Sequence, residues 1–473
     1  MSELSFASNQ IDLNDYDIKE DVKRRTMLAN LSQVEYEIWD EILFSPSTFS
    51  IKKMVTNLKL SEETLIPILE NLMQENFLTA EADSFVVNKE MRKSFEDEFD
   101  RFEDIPGIEA LKNLLKRVPI HVLPNWYPIP RTSDNIFDSI VDKFLQTPQK
   151  YQRYLLELNF SEPTASSIVQ DVMSSPEYKV SSKQIMSKYH LSHEQFEEIM
   201  IYLEFNFVCC LGHELEGDTW IEVVTFFKEW RDYLLFIKNN KPRPIRDLGS
   251  IIRTRPSDFA FVEDMGTIVN IAAKEGLAVE DGFTYTVSDA HAEKIARRLG
   301  HFDLNKPDAF RAYLHKLINK VLLIQLAQLV DGELKVTADG LEWLQMSPDK
   351  RAVELHRHPF NRICIEGPAQ DLVNERNVRI IEKSLETVAD SGWVFLDDFL
   401  KGALIALDEE KAVTLERKGR HWQYTLPEYS ESETAFISTI IMDWLFDCSV
   451  VATGQVNGRS CFCVTPFGQT FYD

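Results

Sequence analysis

No stretch of this chain approaches the ~20 uninterrupted apolar residues that a membrane-spanning helix requires, so no membrane partner is expected. The opening residues 1–21 are polar and acidic and lack the apolar core of a signal peptide, which argues against export. Only 17 glycines and 19 prolines occur in 473 residues, leaving little room for long flexible linkers. The six cysteines, Cys209, Cys210, Cys364, Cys448, Cys461 and Cys463, form no CxxC pair. Cys448, Cys461 and Cys463 have no histidine or further cysteine at zinc-ligand spacing, so buried reduced thiols in a cytoplasmic protein are expected, and no metal. The signatures of catalysis are missing too: there is no phosphate-binding loop, no dinucleotide fingerprint, no H-E-x-x-H and no G-x-S-x-G. His356 and His358 flank Arg357 with no carboxylate cluster beside them. The expectation is a protein that is not an enzyme and holds no cofactor.

Positive charge is scarce. Fifty-one Lys and Arg face 76 Asp and Glu, for a net charge of −25, and the isoelectric point is near 4.9. Affinity for nucleic acid comes largely from basic side chains displacing counterions, so an acidic chain can bind it only through a local basic patch. The charge balance therefore favours a protein-interaction scaffold over a DNA reader.

What the sequence does contain is a repeat. An apolar helix runs into a short β-rich segment, a turn of small or acidic residues, and a strand that feeds another helix. The copies are LMQENFLTAEADSFVVNKEM (72–91), YLEFNFVCCLGHELEGDTWIEVV (202–224), IAAKEGLAVEDGFTYTVSDA (271–290), LINKVLLIQLAQLVDGELKVTADG (317–340) and WLFDCSVVATGQVNGRSCFCVTPFG (444–468). Helix, two-stranded wing, helix is how a winged-helix module ends, and a repeated unit constrains architecture more than a lone motif. The predicted fold class is mainly α with small β-wings (α+β), built as tandem winged-helix modules.

Proline-dense joins at 118–130 and 238–256, with Pro359 and Pro368, divide the chain. The expected parts are an acidic N-terminal tail (1–30), a first module (31–117), a Pro-rich connector with a second module (118–237), a third and fourth copy sharing a core (238–358), and a C-terminal module with an inserted β-hairpin (359–473). Trp343 and Trp444 are expected core anchors.

The third helix of a winged helix is its usual DNA-reading element. In the first two modules it reads SEETLIPILENLMQEN and SHEQFEEIMIYLEFN, with no Arg or Lys. Bases and phosphates are read mostly by Arg, Lys, Asn and Gln, so these helices are expected to present solvated or protein-docking faces. Three basic clusters stand out instead. Arg417, Lys418, Arg420 and His421 cap the inserted hairpin beside Trp422, where a basic tip with an aromatic neighbour could meet a phosphate backbone or stack on a base. Lys241, Arg243 and Arg246 lie in the run 238–255 with Lys238, Arg253 and Arg255. Lys350, Arg351, Arg357 and Arg362 surround the two histidines. Each cluster has an ordinary alternative as a solvated loop or an internal partner for acidic groups.

Residues 335–355, KVTADGLEWLQMSPDKRAVEL, carry Val336-Thr337, Gly340, Trp343-Leu344 and Ser347-Pro348, and the C-terminus carries Thr465, Pro466 and Gly468 after Trp444-Leu445-Phe446. These positions resemble the helicase-associated region at the N-terminus of XPB-type helicases and their bacterial relatives, where a strand ends in a Thr-x-x-Gly turn before an apolar helix. The resemblance covers residues 245–473 at scattered positions, and the motor is absent. It implies a non-catalytic relative that supports a helicase, repair or transcription factor through protein contacts. The leading expectation is such an adaptor; the alternative is a DNA-binding transcriptional regulator using the basic patches.

Overall fold

The computed structural model describes residues 11–81, 84–129, 135–160, 162–280, 285–300, 307–359, 361, 369–419 and 421–472. It is mainly helical, 57% helix against 15% strand, with small antiparallel sheets, so the chain is of the α+β class. Two compact units account for it: residues 1–236 with 413–425, and residues 237–412 with 426–473.

The first unit begins with α1 (Ile18–Leu28), α2 (Gln33–Phe44), β1 (Thr48–Phe49), α3 (Ile51–Leu58), α4 (Glu62–Gln74), β2 (Leu78–Glu81), β3 (Ser84–Val87), α5 (Lys89–Glu103) and α6 (Ile108–Leu115). Short helices α7 (Leu123–Trp126) and α8 (Ile136–Ile140) lead to α9 (Pro148–Glu157) and α10 (Pro163–Ser174). Then come β4 (Lys179–Ser181), α11 (Ser182–Tyr189), α12 (His193–Phe205), β5 (Cys209–Glu216), β6 (Thr219–Phe226) and α13 (Lys228–Asn240), whose last residues enter the second unit. The second unit continues with β7 (Ile252–Arg253), α14 (Ala260–Glu275), α15 (Asp289–Leu299), α16 (Pro307–Leu323), β8 (Ala327–Val330), β9 (Glu333–Val336), α17 (Ala338–Gln345), α18 (Pro348–Arg357), α19 (Glu375–Ser384), β10 (Val394–Phe395) and α20 (Leu396–Gly402). After the hairpin β11 (Leu415–Lys418) and β12 (His421–Tyr424), it ends in α21 (Glu431–Thr439), β13 (Val451–Val456), β14 (Arg459–Val464) and α22 (Pro466–Gln469).

One topology recurs: helix, short strand, helix, helix, strand, strand, with the last strand central. The sheets run β1-β3-β2, β4-β6-β5 and β10-β14-β13, the last extended by β7. A fourth instance lies at α14–β9, where residues 277–279 act as the short strand against β9: Leu334 N donates to Leu277 O (2.9 Å) and Val279 N to Gly332 O (2.8 Å). The third sequence copy, read as a wing, is therefore the lead-in strand of the fourth copy.

Local chemistry repeats with the topology. Each third helix stops on a non-glycine residue in the left-handed region: Asn76, Phe207, Gln325 and Ser449, with φ of 61°, 60°, 61° and 65°. In all four, the next residue's N–H returns to a carbonyl five residues back, Phe77 to Leu72, Val208 to Leu203, Leu326 to Val321 and Val450 to Leu445. That paired return satisfies carbonyls orphaned at a helix end and turns the chain into the strand. Helix starts are capped as well, with reciprocal Ser–acid or Ser–amide boxes at Ser32/Glu35, Ser192/Gln195 and Ser430/Glu433.

The Thr-x-x-Gly positions share one geometry. Thr337 Oγ1 accepts from Gly340 N (3.1 Å) and donates to Gln325 O (2.7 Å). Thr465 Oγ1 accepts from Gly468 N (2.9 Å) and donates to Ser449 O (2.7 Å). A Cβ on Gly340 would meet Leu326 O at 2.1 Å, and one on Gly468 would meet Val450 O at the same 2.1 Å. Backbone cannot yield as a flexible side chain does. Gly340→Ala and Gly468→Ala are each expected to cost about 1–3 kcal/mol or more by overpacking, read as a lower urea midpoint; an unchanged midpoint would show that the helix slides freely over the strand.

Two features differ from the sequence reading of domains. Residues 18–28 of the supposed tail are helix α1, with Asp21, Val22, Arg25 and Leu28 buried. Its charges suggested solvent, but they are paired inside the first unit. The hairpin β11–β12, assigned to the C-terminal module, is part of the first unit. Leu415 N donates to Gln146 O (2.8 Å) and the Tyr424 hydroxyl to Leu145 O (2.9 Å).

Candidate functional site

The hairpin tip is less free than its sequence suggests. Trp422 is half-buried; its indole N–H donates to Glu109 Oε2 on α6 (3.2 Å) and its ring meets Phe137 edge-on, centroids 6.2 Å apart. Arg417 Nη2 lies 3.6 Å from Glu109 Oε1. The aromatic expected to stack on a base is thus engaged in docking the hairpin to its own unit. Lys418 and His421 are exposed. Arg420 lies outside the described residues.

The run 238–255 divides in two. Arg253 pairs with Asp258 and lies 5.7 Å over the Trp393 ring, and Arg255 lies 4.3 Å over Tyr313, so both serve internal contacts. Lys241, Arg243 and Arg246 are exposed, and none of them has an ion pair among the described residues. Their loop is held by buried Pro242 and by Ile245 N donating to Trp393 O (2.8 Å). The third basic cluster is spent internally only in part, since Lys350 and Arg357 are exposed. Arg351 caps the end of α17, donating to Trp343 O (2.9 Å) and Leu344 O (3.1 Å), and His356 Nε2 lies 2.7 Å from Glu382. Arg362 lies outside the described residues.

The third helices of the first unit differ sharply. On α4, Glu62, Glu63, Ile66, Pro67, Glu70 and Asn71 face solvent. A cavity of about 850 Å³ opens alongside, lined by Lys23 and Met27 of α1, Trp39 of α2, and Ile68, Leu72 and Glu75 near α4. Helix α12, expected to present a solvated or protein-docking face, is instead packed against α1, with Phe196, Glu197, Met200, Leu203 and Glu204 buried. Its acidic groups are matched from other elements. Glu204, 1% exposed, is gripped by two guanidinium groups: Arg25 Nη2 at 2.6 Å and Arg101 Nη1 at 2.7 Å. It also accepts from Leu211 N (3.2 Å). Arg101 and Arg117 hold Glu98 at 2.8 and 2.6 Å, and Arg117 reaches Asp21 at 3.0 Å. Burial works to raise the pKa of Glu204, but Arg101 and Arg25 outweigh it and hold it at about 2.

A second polar centre lies at the start of α12. His193 and Glu197, one turn apart, meet Glu222 of β6, and one donor atom from each lies within 4.8 Å of the others. His193 Nε2 is 3.4 Å from Glu222 Oε2 and 4.0 Å from Glu197 Oε1. Glu197 is 0% exposed, neither of its oxygens has a hydrogen-bond partner among the described residues, and Arg25 Nη1 stands 3.8 Å away. Burial and the Glu222 carboxylate push the Glu197 pKa well up. His213 is paired directly across the strands from Glu222; its ring stacks on Phe102 at 3.8 Å, and burial lowers its pKa to about 4. Sequence reasoning passed over this group. The available signal was the i, i+4 spacing of His193 and Glu197, which puts both on one helix face; nothing local announces Glu222.

Of the five described cysteines, Cys209, Cys210, Cys448 and Cys461 are buried, Cys463 is half-buried, and all five are free. No helix among the described residues is long and apolar enough to cross a membrane. No protein-family model matches the chain, and no curated protein matches it either.

Proposed function

We propose that this chain is a non-enzymatic adaptor of tandem winged-helix modules, acting in the cytoplasm in support of a helicase, repair or transcription assembly through protein contacts. The recurrent helix–strand–helix–helix–strand–strand order, with the last strand central, supports the winged-helix reading. The observation that carries the adaptor reading is the fate of the third helices. A helix that reads DNA must reach the groove with donors. Helix α12 lies under α1 with Glu204 bound to Arg25 and Arg101, and α4 offers solvent carboxylates and Ile66. The α4 face and the cavity beside it suit a partner segment with basic and apolar side chains.

The exposed trio Lys241, Arg243 and Arg246 favours the second reading, a regulator that touches DNA directly. Anisotropy titrations of labelled duplex DNA across a salt series separate the two. The adaptor reading expects no binding near physiological salt and weak binding at low salt. A Lys241/Arg243/Arg246→Ala variant should then flatten the dependence of log affinity on log salt by about 0.9 for each phosphate that is no longer neutralised. Tight binding at physiological salt would overturn the adaptor reading. Loss of binding on changing Arg417 and Lys418 instead would move the DNA-binding surface to the hairpin.

A further inference from the structure

We infer that His193, Glu197 and Glu222 form a binding site for a divalent transition-metal ion of the zinc class, joining the start of α12 to β6. The inference is independent of the adaptor reading. Three observations carry it. The donor atoms converge: two ligands held about 2.1 Å from a tetrahedral zinc lie about 3.4 Å apart, and His193 Nε2 stands 3.4 Å from Glu222 Oε2 and 4.0 Å from Glu197 Oε1. Among the described residues the buried donors lack other hydrogen-bond partners, since both Glu197 oxygens and Glu222 Oε2 are without one. Two carboxylates 0% and 2% exposed, side by side, need a cation or a shared proton between them. The guanidinium of Arg25, 3.8 Å from Glu197, is already committed to Glu204 at 2.6 Å.

The donor set selects the ion. Imidazole with carboxylate suits zinc and its transition-metal neighbours, whereas magnesium and calcium take oxygen ligands in larger numbers. His193 is 25% exposed, so the cluster is reachable from solvent although its carboxylates are not. His213, paired across the strands from Glu222, offers a further imidazole on that face of the sheet. The rival state is a metal-free pair in which Glu197 is protonated and shares its hydrogen with Glu222.

The test uses the full chain stripped with a chelator and titrated with Zn²⁺ by competition against a chromophoric chelator, with Mg²⁺ as control. One equivalent of Zn²⁺ should bind and raise the melting temperature, and Mg²⁺ should do neither. Glu197→Gln mimics a protonated carboxyl in shape, and His193→Ala alters a partly exposed side chain. Both should weaken zinc by more than the roughly 10–100-fold that outer-shell partners cost. No zinc bound by the wild type, or wild-type affinity in either variant, overturns the site. Should a variant fail to fold, X-ray absorption at the zinc edge of the wild type decides: nitrogen and oxygen ligands with imidazole scattering support the site, and sulfur ligands overturn it.

Discussion

Arg101→Met is expected to destabilise the protein by about 3–5 kcal/mol, because it leaves buried carboxylates facing fewer cations than they were desolvated for. Arg101 touches two acids of the network, Glu204 at 2.7 Å and Glu98 at 2.8 Å. Methionine keeps much of the volume and removes only the charge and its hydrogen bonds. The pH dependence identifies the cause. Glu204 is held at about 2 in the folded state, against roughly 4.3 for an unperturbed glutamate. A depressed carboxylate contributes stability that is fully present above the unfolded value and is lost as pH falls through the folded one. The gap in melting temperature between wild type and Arg101→Met should therefore be widest near neutrality and shrink between about pH 4.5 and 2. A gap that persists undiminished at pH 3 would assign the destabilisation to packing of the arginine stem rather than to the ion pairs.

Much of the repeat was legible because β-rich pairs of runs four to eight residues long are bounded by turns, as at 209–216 with 219–226. The opening strand of each unit was not. Thr48–Phe49 and Val394–Phe395 are two residues long and carry no periodicity. They are strands only because β3 and β14 offer an unpaired edge. For the same reason residues 277–279 were misread: their partner lies more than fifty residues downstream. The Thr337/Gly340 and Thr465/Gly468 pairs were readable because capping and close approach are local demands.

Charge misled where its partners are distant. Helix α12 looked solvated on its glutamates, but Glu197 and Glu204 are seven residues apart on one face, and Arg25 and Arg101 reach that face from far along the chain. Sequence spacing cannot show a pairing between residues 25 and 204. The hairpin misled in the opposite sense, since Trp422 beside three basic residues reads as a binding tip until Glu109 and Phe137 are found against it.

Trp343→Ala should cost the second unit about 3–5 kcal/mol, the range for truncating a buried tryptophan. Trp343 is 1% exposed and belongs to the core that runs from Phe261 to Val464, so alanine leaves a cavity that α14 and α17 cannot both close. Trp444, also expected to be an anchor, is half-buried, with its ring 5.3 Å from His356. Part of its cavity would open to water, and Trp444→Ala should cost clearly less. A third variant separates size from polarity. The Trp343 indole N–H is buried with no hydrogen-bond partner among the described residues, and such a donor carries a desolvation penalty of roughly 1–3 kcal/mol. Trp343→Phe sheds that donor while keeping most of the apolar surface, so it should recover the greater part of the stability that alanine forfeits. Urea unfolding of the three variants at neutral pH tests the order, with Trp343→Ala lowest and Trp343→Phe nearest wild type. Equal destabilisation by Trp343→Ala and Trp444→Ala would mean that α17 does not anchor this core, because the cost of a cavity follows how completely its walls are held apart.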